Sequence, residues 1–324
     1  VSPAAARAFF PLALLGALMG WSADDVPDCS GQRVVVTGAN SGIGLEATRE
    51  LARAGAAVTM ACRSVDRGEA AAADVRDDAL DADLSVSELD LADLDSVREF
   101  ADRFGSELDV LVNNAGVMAV PRSETADGFE TQFGVNHLGH FALTGLLLDS
   151  FAADARVVTV SSGLHAQGDL DFDDLQHERD YDKWEAYADS KLANLLFAYE
   201  LDRRFRAADR GGLSVGVHPG YAATNLQYRG PEAEGSRLKK LGMRVANAVV
   251  AQPPEQGALP TLYAATASDV EGGSYYGPGG FMNLRGSPER QRSSGRSRDA
   301  ETAARLWQVS EEVTGVTYDL PAPE

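Results

Sequence analysis

From Arg33 onward, short β-branched or apolar runs alternate with longer stretches whose apolar residues recur at helical spacing. The runs 33–37 (RVVVT), 57–61 (AVTMA), 84–89 (LSVSEL), 108–112 (LDVLV), 155–160 (ARVVTV), 213–218 (LSVGVH) and 274–277 (SYYG) read as strands. Helical patterns occupy about 43–54, 66–77, 94–104, 125–152, 184–209 and 254–267. Several strands are apolar on both alternating faces, as strands between two helix layers must be. The pattern predicts an α/β fold, a single doubly wound parallel sheet with helices on both faces. No repeat or Pro/Ser-rich linker divides the chain, so one domain is expected over 28–324, after a leader spanning 1–27.

Three segments break the alternation. Residues 163–183 are polar and acidic and read as an insertion between a strand and the next helix. Residues 221–250 follow the carboxyl end of a strand, where open α/β sheets bind ligands, and read as a substrate loop. Residues 285–299 (RGSPERQRSSGRSRD) are the one basic patch and are expected to be a mobile surface loop.

Charge narrows the partners. The 324 residues carry 29 Lys+Arg against 49 Asp+Glu, a net −20. That field repels phosphates and anionic surfaces, which argues against nucleic acid and against membrane lipid as partners. Lysine occurs only at 183, 191, 239 and 240. Acidic excess with lysine depletion points to a protein that works at molar salt, where surface carboxylates are screened over about 3 Å. Cys29 and Cys62 are too few for a disulfide framework. Residues 8–21 (AFFPLALLGALMGW) form an apolar run of signal-peptide size, short for a membrane span. Met19, ahead of the polar SADDVPD, is the expected start of translation; a weak membrane anchor is the second reading and export the least favoured. The expected location is cytoplasmic, the alternative being membrane association through 8–21.

Candidate chemistry falls at successive strand ends. Thr37-Gly38-Ala39-Asn40-Ser41-Gly42-Ile43-Gly44 leaves a strand and opens a helix. Its glycines permit a tight turn and close backbone approach to a pyrophosphate, which then rests on free N–H groups at the helix N-terminus. The second strand ends in Ala61-Cys62-Arg63, with no acid to bind an adenine-ribose hydroxyl; Arg63 suits a 2′-phosphate, so NADP(H) is the expected cofactor. Asp90 and Leu91 end the third strand on the same face, with Asp90 placed to accept from the adenine amine. Asn114-Ala115-Gly116 ends the fourth. Tyr187 and Lys191 lie four apart in a helix and share a face, so an ammonium can stabilise a phenolate. Ser162 follows the strand VVTVS and offers a hydroxyl to a substrate carbonyl. His137 and His140 share a helical face but find no third ligand at workable spacing, so no metal is expected.

TGANSGIG, NNAG, Asn136 in GVNHLGHF, VSS, YADSK and HPGYAAT occur in that order, and together they resemble a short-chain dehydrogenase/reductase over about residues 31–318. The long stretch from Ser162 to Tyr187, the ACR strand end, SKLAN and the tail LWQVSEEVTG are similar to the retinol dehydrogenase and protochlorophyllide reductase-like branch. The resemblance implies a Rossmann-type sheet. It assigns proton transfer to Tyr187, ribose binding and a lowered tyrosine pKa to Lys191, carbonyl orientation to Ser162, and support of a water-linked proton relay to Asn136. Pro219, Gly220 and Thr224 would flank the nicotinamide. The expected activity is hydride transfer between NADP(H) and a carbonyl/alcohol pair on a small hydrophobic molecule. A C=C reductase and a non-catalytic NADP(H)-sensing regulator are the alternatives, and homo-oligomerisation is left open.

Overall fold

The computed structural model describes residues 20–220, 253–280 and 283–323. In chain order it contains β1 (Arg33–Thr37), α1 (Gly42–Arg53), β2 (Ala57–Cys62), α2 (Val65–Asp78), β3 (Leu84–Glu88), α3 (Leu94–Arg103) and β4 (Leu108–Asn113). There follow α4 (Gly139–Leu146), β5 (Phe151–Val160), α5 (Lys183–Ala207), β6 (Leu213–Val217), α6 (Pro254–Thr266), β7 (Tyr275–Pro278), β8 (Pro288–Gln291) and α7 (Ala300–Thr314). The strands form one sheet in the order β3-β2-β1-β4-β5-β6-β7-β8. All neighbours are parallel except β7 and β8. The order reverses between β1 and β4, the switch point where such sheets open a crevice at their carboxyl edge.

The core follows from the strand alternation. Val34 and Val36 of β1 face a cluster built with Ala47 and Leu51 of α1, Ala72 and Val75 of α2, and Leu262 of α6. Val35 faces the opposite cluster, with Phe100 of α3, Phe141 of α4, Phe197 and Phe205 of α5, and Trp307 of α7. Each such buried side chain contributes about 1.5–3 kcal/mol. Part of the acidic excess is spent on helix starts. Asp93, Asp182 and Asp299 each accept backbone N–H groups at the N-termini of α3, α5 and α7.

Three expectations need correction. The helix expected over 125–152 is shorter and interrupted. Gly128 turns with φ +84° and Thr125 N–H bonds to Phe129 O, so 124–130 form a tight turn closed by a Glu124–Glu130 bridge. Helix then begins at Thr131–Phe133, widens into a π-helical turn at Gly134–Leu138, and continues as α4. The basic segment 285–299 is a structured edge rather than a free loop. Its β8 pairs antiparallel with β7, Arg290 meets Glu271 at 2.6 Å, and Ser297 is buried. Finally, α7 covers the sheet with Leu306 and Trp307, where no helix was expected. The insertion 163–183 does lie between β5 and α5. It is tied to α5 through Asp189, which accepts from Asp169 N–H at 2.8 Å and pairs with His177 at 3.1 Å.

Among the described residues no helix is long and apolar enough to cross a membrane. The apolar run up to residue 19, the segment 221–252 and Thr224 lie outside the described residues.

Candidate active site

A cavity of about 900 Å³ opens along the carboxyl edge of the sheet. Gly38, Asn40, Ser41, Gly42, Ile43, Gly44, Arg63, Asp90, Leu91, Asn114, Ala115, Gly116, Ser162, Tyr187, Lys191, Pro219 and Gly220 all line it. Asn136 does not; it is fully buried behind the wall.

The loop after β1 is built for close approach. Gly38 and Gly42 have φ of +67° and +59°, a region where L side chains are strained. A Cβ on Gly38 would stand 3.1 Å from Ala115, and one on Gly44 would stand 2.7 Å from the Gly38 carbonyl while striking the Asn114 amide. Ser41 caps α1 without a side-chain hydrogen bond, leaving the first N–H groups of the helix free to receive an anion.

Thr37 is the hub that joins this loop to β4. Its Oγ1 accepts from Asn114 N–H and Ala115 N–H, each at 2.9 Å, and lies 2.9 Å from His140 Nε2. The Asn136 carbonyl beside Nδ1 only accepts, so His140 carries its proton on Nδ1, and its bare Nε2 takes the Thr37 hydroxyl proton in preference to the more distant Val112 carbonyl at 3.3 Å. That Nδ1–H donates to the Asn136 carbonyl at 3.0 Å. Burial holds the His140 pKa down to about 4, consistent with a neutral ring. The Asn136 side chain is equally committed: Oδ1 accepts from Val117 N–H at 2.8 Å, and Nδ2 donates to Val117 O and to Ser190 Oγ. Asn136 therefore clamps the segment after β4 to α5 from within the π-helical turn.

Ser162 follows β5 with its Oγ accepting from Leu164 N–H at 3.2 Å, and its hydroxyl interacts with the Tyr187 phenol. Lys191 Nζ donates to Val160 O at 3.0 Å and stands 5.9 Å from the Tyr187 ring centre. Burial pushes the Tyr187 phenol up to about 12, the Ser162 hydrogen bond offsetting it only in part, and pushes Lys191 down to about 8. The lowered tyrosine pKa that the lysine was expected to produce is absent, because desolvation dominates both groups. Gly220 has φ +68°, and a Cβ there would come within 2.7 Å of the Pro278 ring.

Several lining residues escaped the sequence reading. Arg67 lies near Arg63 at the start of α2, and neither has an ion-pair partner among the described residues. Trp184, 46% exposed, stands one turn before Tyr187, and Met118, Val117, Leu164 and Leu284 add further apolar wall. His165, His218, Tyr275 and the segment 291–294 close the far end. Single residues from distant segments leave no spacing signal. His137 and His140 are buried and neutral, and no group of metal-ligating side chains occurs among the described residues.

Comparison with known proteins agrees with this geometry. The model of the short-chain dehydrogenase family matches residues 32–234. The chain belongs to that family. It is 44% identical to retinol dehydrogenase 12 of Mus musculus over 296 residues, covering 89% of this chain and 88% of the relative. It is 42% identical to human retinol dehydrogenase 13 over 295 residues, covering 88% and 85%. An uncharacterised protein from Mycobacterium paratuberculosis superposes with a TM-score of 0.79 at 45% identity, covering 93% of this chain and all of the other. A gluconate 5-dehydrogenase from Beutenbergia cavernae with bound NADP superposes with a TM-score of 0.57 at 27% identity, covering 76% and 95%. As a member of the family the chain is an oxidoreductase with a Rossmann-like α/β fold.

The residues present fit a dinucleotide. The cradle at Gly38 and Gly44 is one that any Cβ would fill, the α1 N-terminus is uncapped by side chain, and just past β2 stand the guanidinium groups of Arg63 and Arg67, without an ion-pair partner among the described residues.

Proposed function

We propose that the chain interconverts a carbonyl and an alcohol on a small hydrophobic molecule, retinol-like or of similar apolar character, with NADP(H). The observation that carries this is the grouping of Ser162, Tyr187 and Lys191 on the cavity that also runs to Arg63. When bound, NADP(H) supplies or accepts the hydride. The loop Thr37–Gly44 and the α1 N-terminus hold its pyrophosphate. Arg63, with Arg67 beside it, holds the 2′-phosphate, and Asp90 with Leu91 borders the adenine. Asn114, Ala115, Gly116 and Lys191 border the nicotinamide ribose, and Pro219 and Gly220 the nicotinamide.

Ser162 orients the substrate oxygen, and Tyr187 moves the proton. With its pKa near 12 the phenol is protonated at neutral pH, so this structure is poised to donate a proton, as carbonyl reduction requires. Lys191, with a pKa near 8, is mostly charged at pH 7 and holds positive charge beside the site. Asn136 and His140 keep the wall behind Lys191 in register. Trp184, Met118 and Leu164 favour an apolar substrate body. The test is NADPH oxidation against aldehydes and ketones, retinaldehyde included. Turnover that vanishes in Tyr187→Phe supports the reading, and absence of turnover on every carbonyl refutes it. A binding-only regulator would bind NADPH and turn over nothing.

A further inference from the structure

Tyr275 opens β7 at the far end of the cavity and is 2% exposed. Its ring is fixed on three sides. It packs with Leu195 and Tyr199 of α5, stacks on His218 at 5.1 Å, and meets His165 edge-on at 5.3 Å. Gly216, its partner on β6, leaves room for it. The hydroxyl is a different matter. Its one hydrogen-bond contact among the described residues is with His165 Nδ1 at 3.5 Å.

That nitrogen cannot receive a proton. His165 Nδ1 lies 2.6 Å from the carbonyl oxygen of Ser162, which only accepts, so Nδ1 must carry the hydrogen. His165 Nε2 takes Ser294 N–H at 3.1 Å, so it must be the bare nitrogen. Both ring atoms are committed, and the Tyr275 O–H has no acceptor among the described residues. Four other tyrosines differ. The hydroxyls of Tyr181, Tyr199, Tyr263 and Tyr318 donate to Val120 O, Ser293 Oγ, Asp269 Oδ2 and Phe141 O, at 2.6 to 2.9 Å. A buried hydroxyl left without an acceptor costs about 1–3 kcal/mol, so its place on a ligand cavity implies an acceptor that arrives with the ligand. The Tyr275 phenol is also close enough to Tyr187 for their charges to oppose one another.

We propose that Tyr275 is a specificity-determining residue whose hydroxyl donates to a second oxygen of the substrate, distinct from the one being reduced. The inference rests on the carbonyl reading of Ser162 and Tyr187. Those two hydroxyls already serve the two lone pairs of the reacting oxygen, so a third donor is left for another atom. The substrate class is thereby narrowed, within the apolar carbonyl compounds, to those that carry a second oxygen. Sites built to hydrogen-bond a substrate discriminate strongly against analogues that lack the bonding atom.

The experiment compares wild type, Tyr275→Phe and Tyr187→Phe on 2-octanone, 3-hydroxy-2-octanone and 2,3-octanedione, followed by NADPH oxidation. The expected result is a loss in kcat/KM of about tenfold or more for Tyr275→Phe on at least one of the oxygenated probes, with 2-octanone within about twofold. NADPH affinity should hold, since Phe keeps the ring packing, and the melting midpoint without ligand should rise, since the unsatisfied hydroxyl is gone. Equal losses on all three probes, or no loss on any, with Tyr187→Phe inactive throughout, overturn the role of Tyr275 while leaving the carbonyl reading intact. A wild type inert on all three overturns both.

Discussion

Thr37→Val keeps the shape of a side chain that no cavity-lining motif would single out as catalytic, and removes one oxygen. That oxygen accepts from Asn114 N–H and Ala115 N–H and donates to His140 Nε2. The substitution leaves two part-buried backbone donors and one fully buried ring nitrogen unpaired. At about 1 kcal/mol apiece, the low end for groups that water can partly reach, the loss is about 3 kcal/mol. In a domain of this size that lowers the melting midpoint by about 6 °C. The damage should not stay local, because the same three groups hold the Gly38 turn, the segment after β4 and the Asn136 carbonyl. NADPH affinity, read by quenching of tryptophan fluorescence, should fall about tenfold. Thr37→Ser, which keeps the oxygen, should stay within about 1 kcal/mol of wild type. A valine variant that melts and binds NADPH like wild type would show that the hub carries no energy, and the proton assignment for His140 would fall with it.

Other outcomes follow from the same structure. Tyr187→Phe should retain less than about a tenth of the turnover, a barrier change above ~1.4 kcal/mol, with NADPH affinity within about twofold of wild type. Arg63→Ala should lower the NADPH/NADH ratio of kcat/KM about tenfold or more; an NADH-preferring wild type or an unchanged ratio refutes the assignment. His137 is buried with its pKa held down to about 3, so the unfolded chain binds a proton below pH 6.5 that the folded one does not, and stability is lost as pH falls. His137→Phe, placed among Phe133, Phe141 and Phe197, should therefore gain about 2 kcal/mol on wild type between pH 7 and pH 5 in denaturant melts. A constant difference between the two proteins would count against it. Stability and activity should rise from 0.1 M to 1 M KCl, as screening shortens from about 10 Å to about 3 Å around a chain of net charge −20; a salt-independent midpoint contradicts this.

The inner strands were legible because burial between two helix layers forces apolar residues onto both faces, a signal that survives in RVVVT and LDVLV alike, and the edge strand β3 was legible from its simple alternation LSVSE. β8 was not, because its PERQ has two exposed charged residues and is held as a strand by pairing with β7 rather than by its own pattern. The π-helical turn was equally invisible: GVNHL carries no mark of its wider hydrogen bonding, which arises where Asn136 and the close approach of Gly139 to Leu91 demand it. The residues read from the loops at successive strand ends fall on one cavity, since contiguous segments supply them. The far end, from His165, His218 and Tyr275, is assembled by tertiary packing from residues more than fifty positions apart.

The π-helical turn also sets how this chain can change over evolutionary time. One face of the stretch 136–140 presents Asn136 and His140 to the polar hub, and its neighbour presents His137 and Phe141 to the aromatic core. Loss or gain of a single residue within 134–138 would rotate everything downstream by about 100°, exchanging the two faces at a stroke. Point substitutions can be tried there one at a time, but length cannot drift. The segment is frozen in phase even where a letter is free, and lineages of this chain should carry their insertions and deletions outside 134–138.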